Sequence, residues 1–144
     1  MSAPEPLCIL IGITPNKLTN EENIILEADL FLSVCEELKE IYRIQHKDFF
    51  RLMKITIEKE NTMLETNLAR FIVHDILFSG EYTLEGIAHY TNMHEDVIQE
   101  VLTGQNLNPS VSLLRKILEL HRVVRRELYR AISKKVADKY LSVA

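Results

Sequence analysis

The sequence predicts an all-α protein. Glycine and proline number four each in 144 residues, and three of the four prolines fall within the first 18, so little interrupts a helix beyond that point. Apolar residues recur at spacings of three and four over most of the chain, the period of an amphipathic helix. Helix-opening signals stand just ahead of those runs.

The first segment, 1–18, reads as an apolar arm. Its run Leu7–Ile13 (LCILIGI) suits a short strand or an arm packed on a neighbour, and Gly12 and Pro15 stop it. Thr19 with Glu22 is a T-x-x-E capping box, in which each residue satisfies a free donor of the other. Behind it, Ile24, Ile25, Ala28, Phe31, Leu32, Cys35, Leu38, Ile41 and Tyr42 mark one apolar face of a helix of about 25 residues. A second helix is expected from Asp48 to Glu60. Phe49, Phe50, Leu52, Met53, Ile55 and Ile57 make it apolar on more than one side, as in a larger core or a subunit interface. Residues 19–61 therefore read as a helical dimerisation or regulatory region.

Asn61-Thr62 is a weak break. Leu64, Leu68, Phe71, Ile72, Ile76 and Leu77 make a third helix, ended by Ser79-Gly80. Thr83 opens a short helix to Tyr90, Thr91–His94 is a turn, and Glu95–Thr103 is another short helix ended by Gly104. After the loop QNLNP, Pro109-Ser110 opens a last helix. No later Gly or Pro stops it before Leu141, which would make it roughly 45 Å long at ~1.5 Å per residue.

The net charge of −4 is mild, but its distribution is uneven. Residues 1–80 carry 8 basic and 13 acidic side chains, 81–120 carry 2 and 6, and 121–144 carry 7 and 2, a net of +5. Cys8 and Cys35 fit no metal or redox spacing and read as buried, reduced thiols, which implies a cytoplasmic home. LCILIGI is too short to span a bilayer and lacks the flanks of a signal peptide, so no membrane partner is expected.

Between Leu64 and His121 the chain resembles the lambda-repressor-like (Cro/C1, XRE) helix-turn-helix family. The residues that carry the likeness are mostly core positions. Leu84 and Ile87 face inward, Ala88 is the small residue that lets two helices approach, and Asn92 takes the turn position usually held by Gly. Asn tolerates the left-handed conformation better than most residues. Met93, Ile98 and Val101 match the apolar positions that follow. Gly104, Pro109, Ser110, Val111, Leu114 and Ile117 look like the closing loop and fourth helix. The resemblance implies a helix-turn-helix domain over 62–121, an N-terminal helical extension and a basic C-terminal helix over 122–144.

It also implies a reading helix that enters the major groove of double-stranded DNA. The positions that would touch DNA are His94, Glu95, Asp96, Gln99, Glu100 and Thr103, with Gln99 the base reader and His94 and Thr103 near phosphates. Leu84 stands where many members place a backbone-contacting Gln. Carboxylates can accept from cytosine N4, yet they face one phosphate charge per ~1.7 Å of duplex. Basic charge must then come from elsewhere. On a continuous last helix Arg122, Arg126 and Arg130 are spaced by four and line one face that phosphates can dock on. A solvated face opposite a packing face of Val124, Leu128, Ile132, Val136 and Tyr140 explains them equally.

His89 and His94 are separated by the turn and do not converge as metal ligands do. His46, His74 and His121 read as isolated, partly buried polar residues. Glu95 and Asp96 also suit the positive end of the helix dipole, which leaves Glu100 unexplained. No phosphate loop, nucleophile elbow, HExxH or paired-Cys motif occurs, so neither an enzyme nor a cofactor is expected. Two functions stay open. One is a DNA-binding transcription regulator acting as a homodimer. The other is an adaptor or antitoxin-like interaction module whose acidic second helix meets a basic protein partner.

Overall fold

A computed structural model describes residues 19–141. Eight helices and no strand occur among them: α1 (Asn20–Gln45), α2 (Lys47–Leu52), α3 (Ile57–Thr66), α4 (Leu68–Phe78), α5 (Leu84–Thr91), α6 (Glu95–Thr103), α7 (Val111–Val124) and α8 (Arg126–Leu141). The all-α expectation is met. The apolar run Leu7–Ile13 and Cys8 lie outside the described residues. The described residues divide into two compact units, one of residues 19–40 with 127–141, the other Ile41–Arg126.

In the first unit the capping box forms. Glu22 N–H donates to Thr19 Oγ1 at 3.1 Å, and Thr19 N–H donates to Glu22 Oε1 at 2.9 Å. Leu30, Val34 and Leu38 recur every fourth residue of α1 and are buried, as are Tyr129, Ile132 and Val136 of α8. Lys135 reaches Glu37 at 3.4 Å. Ile24, Ile25 and Leu32, expected on the apolar face, are exposed instead. The buried stripe of α1 runs through Leu30, Val34 and Leu38, and these three lie off it.

The second unit is built on α4, which packs against α6 and α7; α5 packs against both as well, and α3 leans on α4. Ile72, Val73, Ile76, Ile87, Ile98, Val101, Ile117 and Leu120 are fully buried where these helices meet. Each such side chain contributes about 1.5–3 kcal/mol by leaving water. Two capping hydroxyls set the starts of helices. Thr83 Oγ1 accepts from Gly86 N–H at 3.0 Å, and Ser110 Oγ accepts from Leu113 N–H at 3.1 Å.

Three helix boundaries depart from the periodicity. The helix expected over Asp48–Glu60 stops at Leu52, because Lys54 takes a left-handed conformation (φ 51°), and Thr56 caps a new helix by accepting from Lys59 N–H at 3.3 Å. The third helix starts earlier and breaks at Asn67, whose side chain donates to Met63 carbonyl oxygen at 2.9 Å. The long last helix breaks at Arg125 (φ −119°, ψ 60°), giving α7 and α8. No breaker residue marks this point. The Arg125 side chain at this break reaches Asp75 of α4.

Candidate functional site

The turn between α5 and α6 is short and fully hydrogen-bonded. Asn92 lies in the left-handed region (φ 55°, ψ 42°), as its turn position requires. Its N–H donates to His89 carbonyl at 3.2 Å, and Met93 N–H donates to Ala88 carbonyl at 3.0 Å. Thr91 is completely buried, and its hydroxyl lies 2.9 Å from Ile87 carbonyl, which accepts it. Lys116 Nζ closes the end of α5 by donating to Thr91 carbonyl at 3.2 Å.

His94 caps α6: its Nδ1 accepts from Asp96 N–H at 3.1 Å. With Nδ1 protonated, the same atom would instead face Asp96 Oδ2, 3.5 Å away. Ile98 and Val101 are buried and fix which side of α6 faces out. Gly104 ends the helix in the left-handed region (φ 84°). A Cβ there would sit 3.2 Å from Arg70 Nη1, and Arg70 Nε donates to Leu102 carbonyl at 3.0 Å. Arg70 and Lys116 thus cap carbonyls at the C-terminal ends of the two helices.

The structure brings six of the expected site residues together. His94, Glu95, Asp96, Gln99, Glu100 and Thr103 are all exposed on α6. Thr103 Oγ1 bonds back to Glu100 carbonyl at 3.4 Å. The surroundings are strongly one-signed: no Lys or Arg occurs between Arg70 and Arg115, while Asp75, Glu81, Glu85, Glu95, Asp96 and Glu100 do. Of these, Asp75 is held by Arg125.

The Arg122–Arg126–Arg130 stripe does not form as one helical face. The break at Arg125 leaves Arg122 on α7, and Arg126 and Arg130 on α8. Arg122 is half-buried, and its Nε is enclosed with no hydrogen-bond partner. Among the C-terminal cations, Arg125 engages Asp75, Arg126 the Val123 carbonyl, Arg130 Glu127 and Lys135 Glu37. The last two pairs are solvent-exposed in whole or part and contribute little to stability.

Sequence reasoning missed a cluster inside the second unit. His121 is completely buried, and its Nε2 lies 2.7 Å from Asp75 Oδ2. Arg125 grips the same carboxylate with Nε and Nη2, both at 3.0 Å. Burial alone would raise the Asp75 carboxyl, but hydrogen bonds from Arg125 and His121 outweigh it and hold the group below its ordinary value. Burial lowers the His121 imidazole, and Asp75 only partly opposes this. The spacing His121–Arg125 is one helical turn, and both reach α4. α7 ends at Val124, beside this cluster, where periodicity would have carried it on. His121 is therefore not isolated, and His74, also expected to be partly buried, is exposed. His46 is half-buried, with Nδ1 2.9 Å from Tyr42 carbonyl and its ring stacked on Phe71.

Among the described residues no three His, Cys, Asp or Glu side chains group as metal ligands, and no helix is long and apolar enough to cross a membrane. No protein-family model, curated protein or solved structure matches the chain.

Proposed function

We propose that the chain is a DNA-binding transcriptional regulator of the lambda-repressor-like helix-turn-helix type, acting as a dimer. The observation that carries the reading is the joint of α5 and α6. A left-handed Asn92 turns the chain, Ile98 and Val101 are buried, and an uninterrupted set of polar side chains faces out from α6. Gln99 has the donor and acceptor that adenine N6 and N7 call for, and Glu95, Asp96 or Glu100 can accept from cytosine N4. Phosphate contacts would fall to backbone N–H groups at the starts of α5 and α7 and to the Lys and Arg side chains, all of which lie outside residues 71–114.

One observation favours a second reading. The same exposed surface is anionic, with five carboxylates and no Lys or Arg over residues 81–103. Such a face suits a basic protein partner on the same scaffold.

Fluorescence anisotropy with mixed-sequence duplex DNA at low and moderate salt separates the two. Binding that weakens with salt, each neutralised phosphate adding about 0.9 to the log–log slope, supports the regulator. Absence of binding at low salt sinks it and leaves the protein-partner reading.

A further inference from the structure

Within the second unit, the stretch from Ile44 to Ile57 exposes five large apolar side chains. Ile44, Phe49, Leu52, Met53 and Ile57 are between 46% and 79% exposed. Phe49, Leu52 and Met53 stand at i, i+3 and i+4 and share one face. The face is rooted in the core. Phe50 beneath it is buried, and its ring meets that of Phe49 edge-on at 5.7 Å. Met53 N–H donates to Phe49 carbonyl at 3.0 Å and Ile55 N–H to Phe50 carbonyl at 3.1 Å, which fixes the turn after α2.

At roughly 100 Å² each, these side chains present on the order of 500 Å² of apolar surface, near the upper end of what a free monomer carries. With the aliphatic stems of neighbouring Lys and Arg, that approaches the ~800 Å² per partner of a stable interface. The rim is mixed in sign: Lys47, Arg51, Lys54 and Lys59 against Asp48 and Glu58, all exposed.

We propose that a second copy of this chain covers this face, α2 against α2 about a two-fold axis. In such an isologous contact each copy offers both signs, so Asp48 of one meets Arg51 of the other and the reverse. A partner of one charge sign would leave either the two carboxylates or the four cations facing like charge. A bilayer is disfavoured because six residues of α2 are few for a helix lying in a membrane interface. Phe and Met are among the residues that interface cores favour. The inference rests on the dimeric part of the regulator reading and not on what α6 binds.

Sedimentation equilibrium of the full chain over a micromolar range tests it. The wild type is expected to be a dimer. Leu52→Glu and Met53→Glu alter side chains already in water, so helicity by circular dichroism should hold while dimer dissociation rises at least about tenfold. Ile25→Glu, on the exposed face of α1, should leave the dimer intact. A monomer throughout the range overturns the proposal. So does a dimer that Ile25→Glu dissociates and Leu52→Glu does not. A Leu52-dependent dimer that binds no DNA supports this interface while removing the regulator reading.

Discussion

Replacing Asp75 with asparagine or alanine perturbs the cluster at the end of α7. Asp75 accepts from His121 at 2.7 Å and from two nitrogens of Arg125 at 3.0 Å each. Hydrogen bonds to a charged group are each worth about 1.5–3 kcal/mol net, but Asp75 and Arg125 are about a third exposed, so water takes over part of the Arg125 contact. His121 has no such relief, being fully buried. Asp75→Ala should therefore cost about 3 kcal/mol at neutral pH in urea unfolding, and Asp75→Asn somewhat less.

The pH profile separates charge from packing. The folded His121 pKa lies below its ordinary 6.5, so below that pH the unfolded chain binds a proton the fold resists, and stability falls as pH falls. The folded Asp75 pKa lies below 3.8, so its contribution is present above that pH and is lost further down. The other charged groups facing the pair are Arg125, with Tyr42 and Glu81 near it. Asp75→Asn removes what props up the His121 pKa, so the acid loss that starts near 6.5 should extend to lower pH, and the Asp75 step should vanish. A variant within about 0.5 kcal/mol of wild type, with an unchanged profile, would refute the role given to this cluster.

Other substitutions probe the α5–α6 joint and the thiol. Asn92→Gly should leave stability within about 0.5 kcal/mol, whereas Asn92→Val should cost about 1–2 kcal/mol, because a branched side chain resists positive φ. Gly104→Ala should lower the melting temperature, through both its φ of 84° and the 3.2 Å approach to Arg70. Burial and then Glu36 push the Cys35 thiol up to about 11, so ~0.1% is thiolate at pH 8, and labelling of the folded chain should be far slower than of the unfolded chain.

Much of the fold was legible because local chemistry decided it. The capping box of Thr19 and Glu22, the hydroxyl caps of Thr83 and Ser110, the left-handed Asn92 and the Gly104 stop all act within a few residues. What escaped was set by distant partners. Nothing near Arg125 in sequence announces a break, and its side-chain partner Asp75 lies fifty residues earlier. The acidic character of α6 was visible, but its full extent shows only when the cations are traced to their partners. Arg70 and Lys116 cap carbonyls, and the C-terminal arginines do not form one stripe. Periodicity also misjudged α1, because Ile24, Ile25 and Leu32 are apolar but lie off the buried stripe.

The most direct test of α6 as the recognition element is the salt dependence of duplex binding by Glu100→Lys beside the wild type. Glu100 is exposed and holds no core contact, so the reversal changes charge at that surface and little else. If α6 enters the groove, the substitution should tighten non-specific binding and raise the log–log salt slope by about 0.9. Equal affinity and equal slope would mean that α6 stays out of DNA.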